Sequence, residues 1–140
     1  MKNQRTSRWL IVAFLIASIS TLISVFVGEV AGQEPCSLCW YQRIFLFPMV
    51  WILGLACLRC DNEVWVYALP LTGAGGLFAI YHSLLFWNLI ESDVPKGSIE
   101  KIINHEEMML FGIVPLPALS VLTFAIIFAA LLLVRRRAMP

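Results

Sequence analysis

Residues 9–27 read WLIVAFLIASISTLISVFV. An α-helix rises about 1.5 Å per residue, so about 20 apolar residues cross the roughly 30 Å of hydrocarbon in a bilayer. Three more stretches reach that length: residues 40–58, residues 64 to about 87, and residues from about 110 to 134. Arg43 lies near one end of the second. Pro48, Pro70, Pro115 and Pro117 fall within or at the ends of these spans. Membrane helices tolerate proline because neighbouring helices re-satisfy the freed backbone groups. The first run has no Ala-x-Ala-like end and three spans follow it, so it is expected to be a retained helix rather than a cleaved leader.

The whole chain agrees with that reading. Of its 140 residues, 60% are hydrophobic and 14% charged, and the mean hydropathy is +0.83. A soluble domain of this length could not hold so apolar a composition in one core. The expected architecture is all-α: an integral membrane four-helix bundle, with residues 1–140 as a single domain. The formal net charge of +1 gives no basic signal for nucleic acid.

Charge placement sets the expected orientation. Lys2, Arg5 and Arg8 precede the first span, and Arg135, Arg136 and Arg137 follow the fourth. Basic flanks stay in the cytoplasm, so both termini are expected there, with the short link carrying Arg59, Asp61 and Glu63. The two remaining loops then face outward. They carry Glu29 and Glu34 in one, and Glu91, Asp93, Glu100, Glu106 and Glu107 in the other. In the second, Asp93, Pro95 and Gly97 mark a turn region. Ser98 is placed to cap a short helix in which Ile99, Ile102, Ile103 and Leu110 fall near helical spacing. Such a helix would lie flat on the membrane surface; a plain connecting loop is the alternative.

The cysteines form two Cys-x-x-Cys pairs, Cys36/Cys39 and Cys57/Cys60. One zinc ion cannot join them, because Cys39 and Cys57 are separated by roughly 27 Å of helix. No metal site is expected. Cys57 and Cys60 face a reducing cytosol and read as small apolar residues at a helix end. Cys36 and Cys39 lie on the oxidising side. Vicinal cysteines can close a disulfide across one turn, and a helix N-terminus and a nearby guanidinium both favour the attacking thiolate. A redox dithiol, a static disulfide and a metal-binding dithiol are all compatible with the pair alone.

Cys36, Cys39 and Arg43 occupy positions i, i+3 and i+7, and so share a helix face. An arginine inside a span is costly and marks function, unless it snorkels to the headgroups. His82 falls near the outer end of the third span, which puts it at a common depth with Cys39 and Arg43 on another helix. A lone histidine in a span also serves simply to bond a neighbour. Trp40, Tyr41, Tyr81, Phe86 and Trp87 lie at the same level, where aromatic belts are general. Together they could accommodate a flat, lipid-soluble ring.

The run Glu34-Pro35-Cys36-Ser37-Leu38-Cys39-Trp40-Tyr41-Gln42-Arg43 resembles the DsbB/BdbC family of bacterial disulfide-forming membrane proteins. Tyr81-His82 and the segment Phe111-Gly112-Ile113-Val114-Pro115-Leu116-Pro117 add to the resemblance, as does the four-span layout. Members reoxidise a DsbA-like thioredoxin-fold oxidase outside the cytoplasm and pass the electrons to a membrane quinone, ubiquinone or menaquinone. The DsbA–DsbB–quinone system is the known source of periplasmic oxidation. The resemblance implies a bacterial inner-membrane thiol:quinone oxidoreductase. In it, Cys36 would exchange with the incoming thiol and Cys39 would face the quinone. Arg43 would stabilise the thiolate and the charge developing on the quinone, and His82 would lie near the quinone site.

The chain departs from the family pattern in one large respect. Residues 88–109 contain no cysteine, whereas the family normally carries a second redox pair in that loop. Cys57 and Cys60 fall on the wrong side to replace it. Phe86 stands near where a glutamine often follows the histidine. Either the partner attacks Cys36 directly, or a separate protein supplies the missing pair. The rival readings are a degenerate scaffold with a static disulfide and a dithiol metal-handling membrane protein.

Overall fold

The computed structural model describes residues 8–30, 32, 37–87, 89, 109–110 and 113–139. Cys36 and the surface helix expected around Ile99 to Ile103 lie outside the described residues. Four long helices make up the fold: α1 (Arg8–Glu29), α2 (Ser37–Arg59), α3 (Trp65–Phe86) and α4 (Leu116–Ala138). Each has 22 or 23 residues, roughly 33–35 Å of rise. All four are long and apolar enough to cross a membrane. Pro48 and Pro70 sit inside α2 and α3 without ending them.

The helices close into a ring. α1 packs on α2, α2 on α3, α3 on α4, and α4 returns to α1. Successive helices are antiparallel in such a ring, so Arg8, Arg59 and Arg135–Arg137 gather at one end of the bundle. Arg135 stands over the Trp65 ring there, 5.2 Å from its centroid. Cys39 is at the opposite end.

The core is built largely from small and aliphatic side chains: Leu10, Ala13 and Ala17 from α1, Met49, Leu53 and Ala56 from α2, Ala68 and Ala79 from α3, and Ile127, Ala130, Leu131 and Val134 from α4. Small residues let membrane helices approach closely. Gly75 is the tightest example among the described glycines, since a Cβ there would overlap the Phe124 ring and stand 3.1 Å from Phe45 Cβ. The outer faces are also apolar. Trp51 and Leu58 are 82% and 84% exposed, which suits hydrocarbon surroundings. Among the described residues, the buried polar side chains are Thr72 and His82. Thr72 Oγ1 donates to the Ala68 carbonyl at 2.6 Å, so its hydroxyl is satisfied within its own helix.

The ends of the helices follow local rules. Beyond α2, Cys60 takes φ 53° and the Asp61 N–H reaches back to the Ala56 carbonyl at 2.9 Å, a left-handed stop that glycine usually fills. Asp61 then caps the short 3-10 turn Asn62–Val64 by accepting from the Glu63 N–H at 2.9 Å. The fourth helix begins at Leu116, later than the apolar run from Leu110 implied. Two short strands, β1 (Met109–Leu110) and β2 (Val114–Pro115), pair antiparallel before it. Pro115 stands at the cap and Pro117 in the first turn, where a missing N–H costs nothing.

Candidate active site

Cys39 lies in the first turn of α2 and is half-buried. Arg43 follows one turn later on the same helix, also half-buried. Its guanidinium turns to α1: Nε donates to Ser24 Oγ at 2.8 Å and Nη2 donates to the Ser24 carbonyl at 2.5 Å. Arg43 Cζ is 5.8 Å from the Trp40 ring centroid. The cation is therefore tied into the bundle by α1 close to the cysteine turn.

His82 occupies the last turn and a half of α3 and is 1% exposed. Its Nδ1 is 3.2 Å from Gln42 Nε2. Gln42 directly precedes Arg43, so α2 sends one polar side chain to α3 and the next to α1. The structure thus brings Arg43 and His82 to the same level on either side of α2. It adds Ser24 and Gln42, which the sequence did not single out. Gln42 stood inside the cysteine motif, but nothing in its spacing named its partner. Ser24 looks like any hydroxyl in an apolar span.

The aromatic residues divide. Tyr41 stacks on Phe78, with centroids 5.6 Å apart and planes 11° from parallel, and Phe45 stacks on the same ring at 5.5 Å. Phe86 is buried and meets Trp87 edge-on at 6.0 Å. Trp40, Tyr41, Tyr81 and Trp87 are exposed. Among the described residues, the hydroxyls Thr21 Oγ1 and Ser83 Oγ are buried without a hydrogen-bond partner. Thr21 is one turn before Ser24 on α1, and Ser83 follows His82. At the other end of α2, Cys57 is half-buried against the core and Cys60 is exposed, the full length of the helix from Cys39.

This end of the bundle carries a cysteine, a fixed cation and a buried imidazole on neighbouring helices. The family model for disulfide bond formation protein DsbB matches residues 5–134. The chain belongs to the DsbB family. Relatives described as probable disulfide formation proteins have similar lengths. One from Metapseudomonas resinovorans is 48% identical over 132 residues, covering 94% of this chain and 92% of its own. One from Chlamydia caviae is 36% identical over 124 residues, covering 86% and 87%. A relative from Bacillus cereus, a probable disulfide formation protein C 2, is 34% identical over 116 residues, covering 83% of each chain. No solved structure matches the chain significantly. DsbB-family membership and the four spans make this a multi-pass membrane protein, and support a role in disulfide bond formation as an oxidoreductase.

Proposed function

We propose that the protein is a thiol:quinone oxidoreductase. Residues 1–140 form one four-span domain in a bacterial inner membrane, with both termini cytoplasmic and Cys36 and Cys39 on the extracytoplasmic side. The grouping of Arg8, Arg59 and Arg135–Arg137 at the end away from Cys39 supports that orientation. The observation that carries the function is Arg43, fixed by Ser24 one turn from Cys39.

In the first half-reaction, a thiolate of a DsbA-like thioredoxin-fold partner attacks Cys36 of the Cys36–Cys39 disulfide. The bond between the two sulfurs breaks, a mixed disulfide forms on Cys36, and Cys39 leaves as thiolate beside the Arg43 cation. The partner's second thiolate then attacks the mixed disulfide, which frees Cys36 and leaves the partner oxidised. The two electrons now rest on the Cys36–Cys39 pair, and the protons shed by the partner's thiols as they ionise are available to it from water.

A membrane quinone, ubiquinone or menaquinone, supplies the acceptor for them when bound and is released as hydroquinone. The donors at this level fit such a ring, whose carbonyls only accept hydrogen bonds. Arg43 and His82 would hold it, and the unpartnered hydroxyls of Thr21 and Ser83 are further donors. Arg43 places a fixed positive charge where negative charge develops. Gln42 orients the His82 ring.

The lack of any cysteine in residues 88–109 favours a second reading, a scaffold with a static disulfide. The redox state of Cys36 and Cys39 in cells separates the two. We expect the pair to be oxidised in quinone-replete cells and to accumulate as dithiol when quinone synthesis is blocked. A pair that stays oxidised without quinone would establish the scaffold.

A further inference from the structure

The cation at this site is held by a helix that carries neither cysteine. Among the described residues, Arg43 finds its hydrogen-bond acceptors on Ser24, the hydroxyl and the carbonyl. One turn on, Gly28 leaves the space the guanidinium fills. A Cβ at Gly28 would stand 2.6 Å from Nη2, 3.1 Å from Nη1 and 3.3 Å from Cζ. The first of these is closer than real Cβ atoms come, and the other two are tight. Glycine within a helix costs roughly 0.5–1 kcal/mol relative to alanine, and here it leaves room for the charged group.

We propose that Ser24 and Gly28 are positioning residues. They form a cradle on α1 that sets where the Arg43 guanidinium stands relative to Cys39, and so set how oxidising the Cys36–Cys39 pair is. This rests on reading that pair as the redox centre. A fixed cation stabilises the thiolate of the reduced pair. A disulfide whose reduced form is stabilised is the stronger oxidant. Displacing the guanidinium therefore makes the pair harder to reduce. The Gly28 contact is with the far end of a flexible side chain, so Gly28→Ala moves Arg43 rather than the backbone.

The test is the equilibrium of the full-length protein with glutathione. One Cys36–Cys39 disulfide and two glutathione thiols give one dithiol and one glutathione disulfide, quantified by thiol trapping and mass spectrometry. The readout needs no quinone. We expect Gly28→Ala to lower the equilibrium constant for reduction about tenfold, about 30 mV for this two-electron couple, in a protein that still unfolds cooperatively. Ser24→Ala should lower it less, because the carbonyl acceptor remains. Ser24→Thr, which keeps a hydroxyl, should stay close to the parent protein. Arg43→Ala should lower it at least as much as Gly28→Ala.

If Arg43→Ala lowers the constant while Gly28→Ala and Ser24→Ala leave it unchanged, the cradle is wrong and the proposed function stands. If Arg43→Ala also leaves it unchanged, the cation does not tune the pair and the cradle falls with it. Failure of the quinone reading is separate, since it would appear as no quinone-linked oxidation of an otherwise responsive pair.

Discussion

Gln42 on α2 meets His82 on α3, with Gln42 Nε2 3.2 Å from His82 Nδ1. His82 is almost fully buried, so its orientation is fixed by neighbours rather than by water. The contact also fixes the register of α2 against α3, because Gln42 lies between Tyr41, stacked on Phe78 of α3, and Arg43, bonded to α1.

Replacing Gln42 by leucine removes a partner of a buried imidazole. Such losses cost about 1–3 kcal/mol. We expect Gln42→Leu to lower the unfolding midpoint in detergent and to slow quinone-linked thiol oxidation. Wild-type stability together with wild-type rate would show that the contact does nothing.

Gly75 and Gly73 share α3 but not an environment. Alanine at Gly75 would overlap the Phe124 ring, whereas a Cβ at Gly73 has nothing within 4 Å. Overpacking of this kind costs roughly 1–3 kcal/mol. We expect Gly75→Ala to destabilise the bundle in a thermal unfolding series and Gly73→Ala to be neutral or stabilising.

Cys60 occupies a left-handed position after α2. A non-glycine residue there carries roughly 1–2 kcal/mol of steric cost, so Cys60→Gly should raise the unfolding midpoint. Cys57→Ser and Cys60→Ser should leave thiol oxidation near wild type. In intact cells, a membrane-impermeant thiol reagent should label reduced Cys36 and spare Cys60. Labelling of Cys60 from outside would reverse the proposed orientation.

On the proposed orientation, and with no cysteine in residues 88–109, a covalent complex with a thioredoxin-fold partner would form through Cys36 or Cys39. A thioredoxin-fold oxidase lacking its resolving cysteine should be trapped on Cys36. Cys36→Ser should abolish the adduct. If no adduct forms while quinone still oxidises the pair, a separate mediator carries the electrons.

Much of the fold was legible because span length is additive: each apolar residue adds a fixed rise, so four runs mark four helices. The same rule put Cys39, Arg43 and His82 toward one end of the bundle, where the structure has them. It could not give rotation, which depends on how helices pack. Arg43 therefore had no foreseeable partner, and Ser24 and Gly28 drew no notice among the apolar residues of α1. Gln42 was missed for the same reason, since its bond to His82 exists only once α2 and α3 are paired. The start of α4 was misplaced because residues 110–115 are as apolar as a span. The pairing of Met109–Leu110 with Val114–Pro115 delays the helix.

The most direct test of the redox role of Cys36 and Cys39 is a single-turnover measurement on purified, fully reduced protein. Mixed with excess quinone, the wild type should yield one hydroquinone for each Cys36–Cys39 disulfide formed, and Cys39→Ser should yield none. Hydroquinone formation undiminished in Cys39→Ser, or none from the wild type, would contradict the assignment.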